Sequence, residues 1–303
     1  MSLRARLINV SLRLFEKRRL LNTEAPEDLR RGFERSARML FHGPVGSRYD
    51  SGELGGVPGL KVTGPGVSGN RVLLYFHGGG YVMGSPATHK AMLARLSKLT
   101  GRLAWLPGYR KAPEHPFPAA IDDALVAYRA LLDDVAPGSI VIGGDSAGGG
   151  LALALLGEIC RLGLPQPVGC FAFSPLTDMT FSGHSFIENA RADVMLPVSR
   201  ARDMEEMYLA GGDPTDPRAS PLRAGFDGAG PVWLCAGDTE ILLDDTRRMA
   251  ARLRAQGVAV TEVIEHDLPH VWPMFQRLMP EAGKTLGDLA RWITALSAPS
   301  AES

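Results

Sequence analysis

Ser139-Ile140-Val141-Ile142-Gly143-Gly144-Asp145-Ser146-Ala147-Gly148-Gly149-Gly150-Leu151-Ala152-Leu153-Ala154-Leu155-Leu156 joins a β-branched run to an Ala/Leu helix through one glycine-flanked serine. A strand-to-helix turn this tight holds its central residue in a strained backbone conformation. The Ser146 hydroxyl is lifted clear of the sheet, over a helix N-terminus that favours developing negative charge. Side chains two positions away on either side would collide, so Gly144 and Gly148 are required. Alone, the pentapeptide also fits a glycine-rich turn with an incidental serine. Phosphate-binding readings fail, because Gly143–Gly150 lacks the Lys-Ser/Thr ending of a P-loop and the spacing of a dinucleotide fingerprint.

Outward from this turn, apolar strand runs alternate with helical periodicity. Strands are predicted at Arg71–Phe76, Leu103–Leu106, Ser139–Ile142, Val168–Phe173, Val232–Ala236 and Val258–Ile264. Helices are predicted at Ala87–Leu99, Phe117–Leu132, Ser146–Leu162, Asp244–Gln256 and Trp272–Leu296. The pattern implies an α/β fold, a mostly parallel central sheet with helices on both faces. Residues 1–45 read as two helices, an amphipathic stretch through Leu7, Ile8, Val10, Leu12, Leu14 and Phe15, and a second helix begun by Pro26. The Gly- and Pro-rich passage from Gly43 to Gly69 holds short strands. After Phe173 the alternation breaks, and residues 181–212 form an irregular-to-helical insertion that includes Val198–Leu209. The expected organisation is a catalytic domain of residues 46–180 and 213–303, with a small helical cap from residues 1–45 and 181–212.

A chain of 303 residues, 45% hydrophobic, can bury a full core. Lys plus Arg (33) balance Asp plus Glu (33), so no global field attracts nucleic acid or an acidic membrane. The expected substrate is therefore not a polyanion. Cys160, Cys170 and Cys235 lie in apolar runs with no close pair at metal-ligand spacing, which reads as buried, reduced thiols in a cytoplasmic protein rather than a disulfide. Arg4, Arg6, Arg13 and Lys17 interrupt every apolar stretch near the N-terminus, which argues against a secretory signal. No run approaches the ~20 apolar residues that span a bilayer. A soluble chain with no membrane span is expected, as a monomer or a homodimer.

His77-Gly78-Gly79-Gly80 directly follows the strand Arg71–Phe76. Three glycines let main-chain N–H groups approach the oxygen of a tetrahedral intermediate, the requirement of acyl transfer. The expected donors are the N–H groups of Gly79, Gly80 and Ala147, with His77 bracing the loop. By itself the glycine triplet also fits a simple flexible turn after a strand; beside the serine turn that becomes the minority reading. A base is expected after the last strand, where Glu265-His266-Asp267-Leu268-Pro269-His270 offers two histidines. His270 adjoins the start of the final helix behind a loop-shaping proline and is preferred over His266. The orienting acid should follow Val232–Ala236, where Asp238 and Glu240 are equally able to hold an imidazole in the right tautomer. Asp244 and Asp245 read as helix-start carboxylates.

These motifs resemble those of the bacterial hormone-sensitive-lipase-like esterases (family IV), along with Tyr109-Arg110-Lys111-Ala112-Pro113-Glu114-His115-Pro116-Phe117-Pro118-Ala119-Ala120, Ser220-Pro221-Leu222 and His270-Val271-Trp272. The resemblance covers nearly the whole chain and implies an α/β-hydrolase fold and a serine carboxylesterase. Many members carry Asp-Pro-Leu-x-Asp, whose first residue is the triad acid. Alignment on Asp244-Asp245 sets Glu240 opposite it, and a branch with G-x-x-E-x-L-x-D-D is similar to Gly237–Asp245, so the resemblance implies the triad Ser146, His270 and Glu240. Lys111 stands where the family usually has an apolar residue. The expected substrate is a small-molecule ester of short-to-medium acyl chain, and no metal or organic cofactor is called for. Leu14, Phe15, Phe33, Phe41, Phe186, Met204, Met207 and Tyr208 are candidates to roof an acyl pocket. A ligand-binding homologue would lack the base, and a peptidase on this fold would carry a further large domain.

Overall fold

In the computed structural model, which describes residues 1–296, the Gly- and Pro-rich passage folds as a hairpin of β1 (Arg48–Leu54) and β2 (Val57–Thr63). It opens a sheet completed by β3 (Val72–Phe76), β4 (Leu103–Pro107), β5 (Ile140–Asp145), β6 (Gly169–Phe173), β7 (Val232–Gly237) and β8 (Val260–Glu265). The order is β1-β2-β4-β3-β5-β6-β7-β8, antiparallel at β1-β2 and β2-β4 and parallel from β4 to β8. The helices are α1 (Leu3–Ser11), α2 (Lys17–Asn22), α3 (Pro26–Leu40), α4 (Pro86–Thr100), α5 (Ala119–Asp134), α6 (Ser146–Leu162), α7 (Ser185–Glu188), α8 (Val198–Leu209), α9 (Leu243–Ala255) and α10 (Pro280–Ala295). A π-helical turn at Leu12–Glu16 carries α1 into α2 without a break.

Strand periodicity sorts the core into two layers, because successive side chains point to opposite faces. Val72, Leu74, Ile140, Ile142, Cys170, Ala172, Val232 and Leu234 face the layer of α5, α6 and α9. Leu73, Tyr75, Val141, Phe171, Phe173, Trp233 and Cys235 face α4 and α10. Gly143 leaves room on the second face for the Phe171 ring, which a Cβ there would strike. All three cysteines are free thiols, Cys170 and Cys235 buried and Cys160 half-buried.

Two expectations are corrected. The stretch Trp272–Leu296 is not one helix but a 3₁₀ turn at Trp272–Phe275 followed by α10. Pro280 has no N–H to continue a preceding helix and takes the first turn of a new one. The Trp272 indole docks on that helix, donating to Thr285 Oγ1 at 3.0 Å. The amphipathic reading of the N-terminal stretch also fails in its facing. Ala5, Asn9 and Leu12 are its buried positions, while Leu7, Val10, Leu14 and Phe15 are exposed. Among the described residues, no helix is long and apolar enough to cross a membrane.

Candidate active site

The C-terminal ends of five parallel strands deliver the site, as expected where ligands bind in open α/β sheets. β5 runs straight into α6, and Ser146 between them holds φ 54°, the left-handed region that costs a residue with a Cβ. The flanking glycines are there for space. A Cβ on Gly144 would overlap the Gly148 carbonyl, and one on Gly148 would overlap the carbonyls of Phe76 and His77.

Beyond β3, Gly79 (φ 124°) and Gly80 (φ 61°) adopt conformations open to glycine, and a Cβ on Gly79 would strike the Met83 carbonyl. The loop is clamped from beneath by Asp145, a residue the sequence reading left without a role. Its Oδ1 accepts from the Gly78 N–H at 3.0 Å and the Tyr75 hydroxyl at 2.7 Å, and its Oδ2 lies 3.2 Å from His89 Nε2. Burial works to raise the Asp145 pKa, but the charge and hydrogen bond of His89 and the bond from Tyr75 hold it below the usual carboxylate range. His77 braces the loop, as expected, with Nδ1 3.0 Å from the Gly78 carbonyl and its ring stacked on Tyr109 at 4.3 Å. The Tyr109 hydroxyl donates to the His77 carbonyl at 2.7 Å, so the proline-rich block scaffolds this loop. Burial first, then the Lys111 charge, pushes the His77 pKa well below its ordinary value and keeps the ring neutral. Ala147 lies fully buried behind Ser146 in the first turn of α6, where a helix has no internal acceptor for its N–H.

The two histidines and two carboxylates left open by the sequence sort into separate pairs. His270 Nδ1–H donates to Glu240 Oε2 at 2.6 Å, with both side chains at most 3% exposed. His266 Nδ1 pairs with Asp238 Oδ2 at 2.7 Å, but its side chain is 82% exposed. Glu240 Oε1 also accepts from the Gly237 N–H at 2.6 Å and the Ser174 hydroxyl at 2.8 Å. Burial lowers the His270 pKa, but the Glu240 charge and hydrogen bond overcome it and the net shift is upward. His270 Nε2 has no partner among the described residues and lines the same cavity as Ser146, Gly79 and Gly80. Ser174, at the end of β6 with φ 47°, was missed. Its oxygen joins Glu240 to the Val271 N–H, received at 3.1 Å, and no motif marks it. Asp244 and Asp245 stand in the first turn of α9, as expected of helix-start carboxylates, but neither makes a capping hydrogen bond to it. Asp244 accepts from Ser185 N at 3.0 Å, while buried Asp245 accepts from the Thr177 and Asp178 N–H groups at 2.7 and 3.0 Å.

The cavity, about 910 Å³ of empty space counted out to its mouth, is mainly apolar. Of the eight roof candidates, Phe33, Met204 and Tyr208 line it. Leu14 and Phe15 are exposed, Phe41 packs on Phe275, Phe186 stacks on Phe181, and Met207 joins the core. Leu20, Leu176, Met179, Phe181 and Met274 line it instead, chosen by how the layers meet rather than by helical spacing.

The strand order and the sharp serine turn make the class an α/β-hydrolase, and a family model described as alpha/beta hydrolase fold matches residues 73–274. An "Acetyl-hydrolase" of Streptomyces hygroscopicus is 36% identical over 245 residues, 78% of this chain and 82% of that protein. An "Esterase" of Acinetobacter venetianus is 32% identical over 274 residues, 90% of each. A crystal structure of an esterase from the bacterial hormone-sensitive lipase family superposes with a TM-score of 0.93 at 34% identity, covering 98% of this chain and 99% of that one. EstE5 soaked with p-nitrophenyl butyrate gives 0.93 at 36% identity, over 99% of this chain and 100% of that one. The chain belongs to the hormone-sensitive-lipase-like family (family IV) of α/β-hydrolases and is a carboxylic ester hydrolase.

Proposed function

We propose that this enzyme hydrolyses small-molecule carboxylic esters of short-to-medium acyl chain through a Ser146-His270-Glu240 triad and an acyl-enzyme. Ser146 Oγ attacks the ester carbonyl carbon as His270 Nε2 takes its proton, and Glu240 steadies the imidazolium that forms. The N–H groups of Gly79, Gly80 and Ala147 receive the oxyanion of the tetrahedral intermediate. Its collapse breaks the ester C–O bond, and His270 returns the proton to the departing alcohol. Water repeats the two steps and releases the acid. Residues 1–45 and 181–212 act as a cap over the acyl pocket, and Leu20, Phe33, Met204 and Tyr208 along the cavity support that reading. The free cysteines support a reducing, cytoplasmic setting.

One observation carries the proposal. The buried Glu240–His270 bond of 2.6 Å leaves Nε2 unpartnered at the cavity that Ser146 lines. The test is Ser146→Ala on p-nitrophenyl butyrate, expected to lower kcat by roughly 10⁶ with the fold intact. Near-normal turnover by that variant overturns the nucleophile. A p-nitrophenyl ester series should peak at short-to-medium chains, and preference for long-chain triacylglycerol overturns the substrate range.

A further inference from the structure

The N-terminal helical stretch buries one face and leaves the opposite one apolar. Ala5, Asn9 and Leu12 pack inward, and Asn9 Nδ2 donates to the Asp267 carbonyl at 2.8 Å. The N-terminus is tied to α10 through Ser2 and Glu281. Leu3, Leu7, Val10 and Leu14 follow at steps of four, three and four, the spacing of a single helix face. They are 73%, 63%, 56% and 44% exposed, and Phe15 beside them is 72% exposed. Scattered surface leucines need no explanation, but a continuous stripe along a firmly anchored helix marks a contact surface.

The charge around the stripe selects its occupant. Residues 1–22 hold six basic side chains and one acid, Glu16, although the chain as a whole is neutral. Glu16 is bound to Arg19 at 2.5 Å. Arg13 and Lys17 reach back to carbonyls of residues 190–193. Arg4, Arg6 and Arg18 are exposed and form no ion pair among the described residues. Pairing this face with that of a second copy would bring arginines against arginines, and the one carboxylate of residues 1–22 is already paired, so self-association is opposed. A surface with apolar depth beneath anionic headgroups satisfies both the leucines and the arginines.

We propose that this face docks the enzyme, without spanning, onto an anionic phospholipid bilayer. The same helical stretch contributes Glu16 and Leu20 to the cavity, so docking sets the acyl pocket beside the surface in which apolar esters dissolve.

The test is co-sedimentation of the full chain with phosphatidylcholine vesicles, with and without one-third phosphatidylglycerol, at low and at half-molar salt. It reads binding and not turnover, so it stands or falls separately from the triad. Binding is expected only with phosphatidylglycerol and should weaken with salt. Arg4→Gln with Arg6→Gln should lower the partition coefficient by about fivefold per arginine, about twenty-fivefold together. Leu7→Ser with Val10→Ser should lower it at least tenfold. None of these residues lines the cavity, so hydrolysis of p-nitrophenyl butyrate in free solution should stay at the parent level and show that the variants are folded. Absence of binding by the parent enzyme, binding unchanged in both variants, or a dimer in ultracentrifugation that Leu7→Ser with Val10→Ser dissociates overturns the proposal.

Discussion

Replacing Glu240 by Gln alters one atom of a buried carboxylate that makes three hydrogen bonds. Oε1 receives the Gly237 N–H and the Ser174 hydroxyl, and Oε2 receives His270 Nδ1–H at 2.6 Å. A glutamine can keep its oxygen toward Gly237 and Ser174, so the loop should hold its shape. Its amide then donates toward Nδ1, which forces the proton onto Nε2, the nitrogen that must accept the one from Ser146. A wrong tautomer of this kind costs about 10⁴ in kcat. The pH profile supplies a second readout. In the parent enzyme the acid limb of kcat/KM should lie above 6.5, because Glu240 raises the His270 pKa against burial, and activity is lost as pH falls through it. In the variant both Glu240 contributions are lost, burial is opposed only by the Asp193 and Asp145 charges, and the limb should move to lower pH than in the parent. Asp238→Asn touches only the exposed His266 pair and the Asp267 N–H, so kcat should stay within about twofold and thermal stability within about 0.5 kcal/mol. Stopped assays on p-nitrophenyl butyrate from pH 5 to 9 read both quantities. Near-parent kcat in Glu240→Gln, or collapse in Asp238→Asn, refutes the assignment of the acid.

Ser174→Ala removes the donor to Glu240 and the acceptor of the Val271 N–H. It should destabilise by about 1–3 kcal/mol and lower kcat about tenfold, with KM little changed; unchanged kcat and melting temperature would deny Ser174 its positioning role. Asp245 is buried with its pKa pushed up to about 7. Between about pH 4 and 7 the folded state keeps a proton that the unfolded chain releases, so this group makes stability fall as pH rises through that window. Denaturant titrations of Asp245→Asn should show a flatter dependence there, and a slope unchanged from the parent would discount the buried acid.

The strand–serine–helix passage carried the α/β class because its local requirements are backbone requirements. Only glycine fits at 144 and 148, and β-branched residues cannot be mistaken for the Ala/Leu run after them. The same holds for Gly79 and Gly80, whose positive φ values are a demand legible in residue type. The helix predicted across Trp272–Leu296 failed where periodicity outweighed Pro280, a stop signal already present in the chain.

Which acid meets which base was another matter. Asp238 and Glu240 are two residues apart and chemically interchangeable, as are His266 and His270 as bases, and resemblance alone separated the carboxylates. The fold separates the two pairs by depth: one pair is held in the low-dielectric interior with Ser174 and Gly237 as extra partners, and the other lies in water. Asp145 and the roof of the cavity were equally beyond local reading. Their partners come from strands and helices far apart in the chain, so only the closing of the sheet and the packing of distant segments against it decide which side chains meet.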